Sequence, residues 1–463
     1  MIHPTGDKMA TKTMMYAIVA VAILAVASVG AYVVFFSDEP SKPNGFIVDY
    51  GSFDTEWNGI TYQEGDNPLS ILQAAYDDEV VVVDGIVTKI GDTENEENGR
   101  TWAFWRFQKD AWKMHTGAPE EGHMRGATAI AWAYTTDGEI PAKPVDSTGK
   151  LIYGWTYGPE KSSSPSRIIS LMPSGTEIIN AVGGVEKIIG VDKYSNFPNS
   201  VLERSAEDYG GDDKIAIVAD YYNSPSTESL IRYNPDLVIG EEVNTDLVLK
   251  LRQLGVNAIA LDSGIDIDSI FTNIHIVGVV LGNDDQKNEV ISEIQGGIDK
   301  VIERVKSLDA ESKTVLSCPS VFGYYLSGPS TFIGSMLNLL GVKNVLSEGS
   351  WVEANVESII TSGVEIMIFA TMEYDYDMPI EDRHAELLKN LPEVWIDLNV
   401  PLYLLCESAT DTLLRPGPRI AQALELLAII IFDDYNDAEI DNFTIGPEYE
   451  SLLDFTQDLG FND

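Results

Sequence analysis

Apolar and polar positions divide the chain into three regimes. Thr13 to Phe36 (TMMYAIVAVAILAVASVGAYVVFF) contains no charged residue and is long enough to cross a bilayer, which needs ~20 residues. From Phe46 to about Glu160 the apolar runs are short, aromatic and strand-like. From Arg167 onward, strand-like runs alternate with segments of helical spacing, the pattern of an α/β domain.

The first regime predicts a retained anchor. Lys8 and Lys12 precede it, and Asp38 and Glu39 follow, which places residues 1–12 in the cytoplasm, 13–36 in the cell membrane and the bulk of the chain outside. Ala25-Val26-Ala27 resembles a signal-peptidase site, but apolar residues continue past it to Phe36. No cysteine adjoins the segment, so a lipid-modified cysteine is not the expected anchor. Residues 37–45, with Pro40 and Pro43, read as a stiff linker.

A separate β-rich domain is expected over 46–160. Phe46 to Tyr50, Val80 to Val83, WAFWRF and AIAWAY read as strands. Asn67-Pro68 marks a helix start, with Asn as N-cap and Pro at the first helical position. Asp84-Gly85 is a turn, and Gly91 to Arg100 a polar loop. Six of the eight tryptophans (Trp57, Trp102, Trp105, Trp112, Trp132, Trp155) fall here. They make either a small core of large side chains or an aromatic face for a ligand. His115 and His123 flank TGAPEEG without a third metal ligand placed by spacing, and read as exposed loop histidines. Residues 161–166 are the next linker.

The third regime opens at Arg167 to Asn199, which reads as strand (Ile168 to Leu171), Pro-Ser-Gly turn, helix and strand (Ile188 to Val191). Thr176 and Glu177 suit the first helical turn, satisfying free N–H groups there. Such a βαβ unit presents its carboxyl strand ends to a crevice. Ser174, Gly175 and Tyr194 are the candidates there. The strand–helix alternation continues over lobe 1, 167–282. A long amphipathic helix follows over 283–307, capped by Asp284 or Asp285 and carrying Gly296-Gly297 as a point of close approach. Lobe 2 covers 311–435, and an acidic tail, partly ordered through Tyr449, Leu452 and Phe455, ends the chain over 436–463.

Composition narrows the function. The 463 residues carry a formal charge of −43, which opposes nucleic-acid binding and fits a dispersed, solubilising acidic surface. Two cysteines, Cys318 and Cys406, end apolar strand-like runs and read as buried free thiols. The chain lacks G-x-S-x-G, G-x-G-x-x-G, a P-loop lysine and H-E-x-x-H, so it is not expected to be an enzyme. His275 and His384 lie in helical, polar surroundings, and Glu373-Tyr-Asp-Tyr-Asp377 reads as a solvated acidic loop without the glycine a calcium loop needs.

Two resemblances add to these readings. RIISLMPSGTEII, GVDKYSNFP, STESLIRYNPDLVIG, GPSTFIGSMLNLLGVKNV, WVEANVESII and RPGPRIAQALELLA occur in this order. Over about 165–435 they resemble the helical-backbone substrate-binding proteins of ABC importers, the vitamin B12, siderophore and haem type. Trp102-Ala-Phe and Trp132-Ala-Tyr with Gly85 and Gly91 resemble a transcobalamin C-terminal-like, β-grasp-type module. The first resemblance implies two α/β lobes on one linking helix, a macrocyclic or metal-chelate ligand between them, and no resident cofactor or metal. The ligand implied is cobalamin, with a ferric siderophore or haem as the alternative; a surface-anchored binding protein without a permease is a third reading. Cleft residues implied are Ser174, Gly175, Tyr194, Tyr221, Tyr222, Tyr324, Phe332, Trp351 and Arg415, the last meeting an anionic ligand or bracing the Pro-Gly-Pro turn. Glu228 and Glu357 match the family's two glutamates that dock on arginines of the permease subunits.

Overall fold

The computed structural model describes residues 42–95, 99–136, 138–152, 164–206, 214–220, 225–308, 310–318, 324–370, 378–437, 440 and 443–457. The apolar run 13–36, Trp155, Tyr221, Tyr222 and the Glu373–Asp377 loop lie outside them. Among the described residues no helix is long and apolar enough to cross a membrane.

The first domain is built on a five-stranded mixed sheet. In chain order its elements are β1 (Gly45–Gly51), β2 (Asp54–Gly59), helix α1 (Pro68–Tyr76), β3 (Val80–Val83), β4 (Ile86–Ile90), β5 (Thr93–Glu94), β6 (Thr101–Gln108), β7 (Ala111–His115) and β8 (Ala129–Thr135). The main sheet has the order β2-β1-β8-β6-β7, with β1 and β8 parallel at its centre, and β3-β4-β5 form a separate small sheet. Asn67 caps α1 as its position predicts, accepting from the N–H groups of Leu69 and Ser70 at 3.0 Å.

Strand alternation sends successive side chains to opposite faces. One face (Phe46, Val48, Trp102, Phe104, Trp132, Tyr134) buries Ile71 and Leu72 of α1. The other (Ile47, Trp105, Ala131, Ala133) joins the core of the lobes. The described tryptophans are therefore mostly core rather than an exposed aromatic platform: Trp102, Trp105 and Trp132 are buried.

Lobe 1 comprises β9 (Ile168–Ser170), α2 (Pro173–Ala181), β10 (Ile188–Asp192), α3 (Asn199–Arg204), β11 (Ser205–Ala206), β12 (Ile215–Ala219), α4 (Thr227–Ile231), β13 (Leu237–Glu241), α5 (Thr245–Gln253), β14 (Ala258–Leu261) and α6 (Ile267–Leu281). Its six strands, in the order β11-β12-β10-β9-β13-β14, are all parallel. The linking helix α7 (Asp284–Ser307) is continuous. Asn283 occupies its N-cap position without a side-chain capping bond, its amide donating instead to the Val182 carbonyl, and Asp284 and Asp285 lie inside the first turn. Of the Gly296-Gly297 pair, Gly296 faces open space and Gly297 is buried. The close approach occurs at Gly278 of α6, where an added Cβ would lie 2.5 Å from the Lys287 Cβ of α7.

Lobe 2 comprises β15 (Thr314–Cys318), β16 (Tyr325–Ser327), α8 (Phe332–Leu339), β17 (Lys343–Asn344), β18 (Trp351–Glu353), α9 (Val356–Thr361), β19 (Ile366–Ala370), α10 (Ile380–Asn390), α11 (Glu393–Ile396), β20 (Leu402–Leu405), α12 (Ser408–Leu414), α13 (Ile420–Ile431) and β21 (Thr444–Ile445). The parallel sheet has the order β17-β15-β19-β20-β21, and β16 and β18 form a separate antiparallel pair. Helix α13 is buried along its whole length. Its Glu425 carboxylate accepts from the N–H groups of Asp454, Phe455 and Thr456 and from the hydroxyls of Thr456 and Tyr435. That carboxylate and β21 fold residues 444–456, read from sequence as part of the acidic tail, into lobe 2. Cys318 and Cys406 are buried, and neither forms a disulfide.

The first domain is fastened to lobe 1. Ser147 donates its N–H and hydroxyl to the carbonyl of Ala260, at 3.0 and 2.8 Å. Asp146 accepts from the Ala260 N–H and pairs with Arg252. These contacts occupy the outer edge of β14, which would otherwise be left unpaired. Further along, Lys287 is wholly buried and donates to the Phe53 carbonyl at 3.2 Å. The Phe53 ring lies over Phe271 and His275. His275 is thus a buried interface residue rather than a polar surface one.

Candidate functional site

In lobe 1 the carboxyl ends of three parallel strands carry polar side chains, Ser170, Asp192 and Glu241, as expected where an open sheet receives a ligand. In lobe 1, β9 leads into α2, whose first turn buries Ser174 and Gly175. Gly175 has no room for a side chain, since a Cβ there would lie 2.7 Å from Met172 Cγ. Beside it, β10 ends at Asp192, whose carboxylate accepts from the Tyr194 N–H at 2.7 Å and from the Ser195 hydroxyl. Burial pushes the Asp192 carboxyl above its ordinary value, against the pull of Ser195, the Tyr194 N–H and Arg415. Glu241, at the end of β13, is also raised, by burial and by the nearby carboxylates of Asp192 and Glu242.

Lobe 2 meets this edge with the Arg415-Pro-Gly-Pro-Arg419 segment between α12 and α13. Arg419 grips Glu177 of α2 with Nε on Oε2 at 3.0 Å and Nη2 on Oε1 at 2.6 Å. Its plane lies over the Phe197 ring at 4.3 Å. Arg415 donates to Glu177 Oε1 (3.0 Å), Asn196 Oδ1 (2.7 Å) and the Tyr194 carbonyl (3.0 Å), and pairs with Asp411 at 2.9 Å. Asn196 returns a bond to Asp411 at 2.9 Å. Burial acts to raise the Glu177 carboxyl, but the charges and hydrogen bonds of Arg419 and Arg415 outweigh it and hold the group below its ordinary value. Glu177 therefore serves an ion pair between lobes, not the capping role its helix position implies. Thr176 likewise turns back to the Met172 carbonyl and to Ser195.

The remaining predicted positions spread over lobe 2. Phe332 is buried at the start of α8, 6.3 Å edge-on from the ring of Trp351, which is 46% exposed. Tyr324 packs against Trp395 and donates its hydroxyl to the Asn390 carbonyl. Thus Ser174, Gly175, Tyr194 and Arg415 gather at the lobe junction, Phe332 and Trp351 form a second group, and Tyr324 faces its own lobe. Asp411 and Arg419 lie outside the expected cleft set, whereas Asn196 falls in the polar stretch 193–196 that follows β10 at the crevice. Two arginines four residues apart, in a chain this acidic, were the available signal.

Glu228 and Glu357 are both exposed and occupy matching positions. Each is the second residue of a short helix, after a side-chain cap from Ser226 or Asn355. Each helix leads into the strand that pairs with the first strand of its lobe, β13 beside β9 and β19 beside β15.

The chain is similar to known proteins over its later part. Residues 168–394 match the family model described as periplasmic binding protein. The chain is 24% identical over 278 residues to the uncharacterized ABC transporter substrate-binding lipoprotein YvrC of Bacillus subtilis, covering 58% of this chain and 81% of that protein. It is 20% identical over 215 residues to a cobalamin-binding protein of Halobacterium salinarum, covering 44% of this chain and about half, 54%, of that relative. Among solved structures, the periplasmic vitamin B12 binding protein BtuF of Vibrio cholerae overlays with a TM-score of 0.44 at 21% identity, covering 60% of this chain and 100% of that one. Over residues 168–394 the chain is thus similar to the periplasmic binding protein family.

Proposed function

We propose that this protein is the substrate-capturing component of an ABC importer, holding cobalamin or a related corrinoid between its lobes and handing it to a permease. The observation that carries the reading is the pair of parallel sheets on one continuous helix, met at the lobe junction by the Glu177–Arg415–Arg419 tie. Transport is supported by the name of the Bacillus subtilis relative, and the corrinoid by that of the Halobacterium salinarum relative. The chemistry is capture and release without covalent steps.

Ser174, Gly175, Tyr194, Phe332, Trp351 and Arg415, with Tyr221 and Tyr222, are the proposed ligand-binding set, and Tyr324, turned into its own lobe, is left out of it. Arg415 acts within it by holding the Tyr194 carbonyl and Asn196 in place. Glu228 and Glu357 are the proposed permease contacts, one per lobe, where exposed carboxylates accept bidentate guanidinium bonds. Residues 13–36 are the proposed membrane anchor, leaving the lobes outside the cell. The first domain is proposed as a transcobalamin C-terminal-like, β-grasp-type module, a reading supported by its central parallel pair β1–β8 and the helix across one face.

Titration of the full-length protein with cobalamin, followed by absorbance or tryptophan fluorescence, tests the ligand. Saturable binding at micromolar concentration is expected. Binding of a ferric siderophore or haem in its place overturns the corrinoid assignment.

A further inference from the structure

The first domain carries a group of side chains that the two-lobed site does not use. With 73 acidic against 30 Lys and Arg residues in the chain, carboxylates to pair with basic groups are abundant. On β6 and β7 the arrangement is the reverse. Arg106 stands directly across from Lys113, and Phe104 across from His115. Opposed side chains share a face with Cβ atoms ~5 Å apart, and like charges in that relation repel each other.

His123, in the 3-10 turn Glu121–Met124, lies over the same corner with its ring centroid 3.7 Å from that of His115. These two histidines are partly buried and in ring contact, not the exposed loop residues their spacing implied. Nδ1 of His123 accepts the Glu120 N–H at 2.7 Å, which makes Nε2 the protonated, donating nitrogen of the neutral ring. That tautomer opposes ligation of a metal through Nε2.

The donors are also unspent. Among the described residues, the buried Nε of Arg106 and Nε1 of Trp132 have no hydrogen-bond partner. Trp132 lies across from Phe104, on the face that Arg106 shares. Burial, then His115 and Arg106, holds His123 below its ordinary pKa, and Glu120 opposes them. The Glu120 carboxylate accepts the His123 N–H and so serves its own turn.

We propose that Arg106, Lys113, His115 and His123 form a binding site for a phosphate group. The group arrives either as free phosphate or as the monoester of a small solute. A dianion here relieves the Arg106–Lys113 repulsion and accepts from Arg106, Lys113 and the two imidazoles at once.

The test is histidine-selective isotope labelling of the full-length protein, which has five histidines, with NMR titration by inorganic phosphate in one arm and glycerol phosphate in the other. Saturable movement of the His115 and His123 signals, with the His123 pKa raised, is expected in at least one arm, and the stronger arm identifies the source. Chloride at matched ionic strength leaves the signals in place. Arg106→Gln weakens binding about tenfold, as for one charge-assisted hydrogen bond. Lys113→Gln, at an exposed position, weakens it in the same direction and serves if the first variant misfolds. No saturable shift in either arm, or shifts that persist undiminished in the correctly folded variants, overturns the proposal. Movement caused by a polyglutamate peptide and by neither phosphate compound overturns it too, and assigns the corner to an acidic protein segment.

Discussion

Arg419 of lobe 2 holds both carboxylate oxygens of Glu177 in lobe 1, at 3.0 and 2.6 Å, with both side chains almost wholly buried. Taking one partner from a buried, hydrogen-bonded pair leaves an uncompensated charge and costs ~3–5 kcal/mol. Arg419→Met is therefore expected to destabilise the protein by about that amount in chemical denaturation. The Arg419→Met, Glu177→Met double variant should lose less than the two single losses added together, because neither charge is then left facing the other's empty place. Additive losses would mean that the pair does not couple the lobes.

The same carboxylate sets a pH dependence. Arg419 and Arg415 hold Glu177 below its ordinary value of 4.5, so its contribution is complete above pH 4.5 and is lost as pH falls through the depressed folded value. Asp192 and Glu241 are raised and act with the opposite sign, so the comparison has to be differential. Stability curves of the wild-type protein and Glu177→Gln should converge as pH falls below 4.5 and stay apart at neutral pH. A constant gap across that window would contradict the assignment.

Much of this architecture is legible in the chain because local signals and packing agree. The Asn67-Pro68 start of α1 and the amphipathic helix expected over 283–307 agree with the observed elements within a residue or two. The failures share a cause, which is contact between segments far apart in sequence. Glu177 looks like a helix-start carboxylate until lobe 2 brings Arg419 to it. His275 looks like a polar helix residue until the first domain lays Phe53 over it. No periodicity encodes such pairings, so the lobe tie and the domain interface appear only in three dimensions.

The domain interface yields its own test. Asp146 is buried and ties Arg252 and the Ala260 N–H at the edge of β14. Asp146→Ala leaves the Arg252 charge without its partner and β14 without part of its edge, and should cost ~3 kcal/mol or more. Limited proteolysis should then release the first domain from the lobes more readily than in the wild type. Unchanged thermal stability and cleavage would show that the two units are merely adjacent.

Trp351 separates ligand binding from folding. At 46% exposure it contributes little to the core, so Trp351→Ala should alter stability by only ~0.5 kcal/mol. If its face receives the ligand, the same change should weaken cobalamin binding by about 2 kcal/mol, roughly 30-fold, as for a central aromatic contact. Wild-type affinity in the variant would remove Trp351 from the site.

Glu228 and Glu357 should affect transport alone. Both are exposed, each caps no other group across a lobe boundary among the described residues, and each sits at the same point of its lobe's topology. Replacing one weakens a two-point attachment, and replacing both removes it, since the second contact benefits from the high effective concentration set by the first. The Glu228→Ala, Glu357→Ala double variant is expected to bind ligand normally, fold normally and lose uptake in a cell that depends on it. Each single variant should retain part of the uptake. Full transport by the double variant would place the permease contact elsewhere on the lobes, while loss of ligand binding would show that these carboxylates shape the cleft instead.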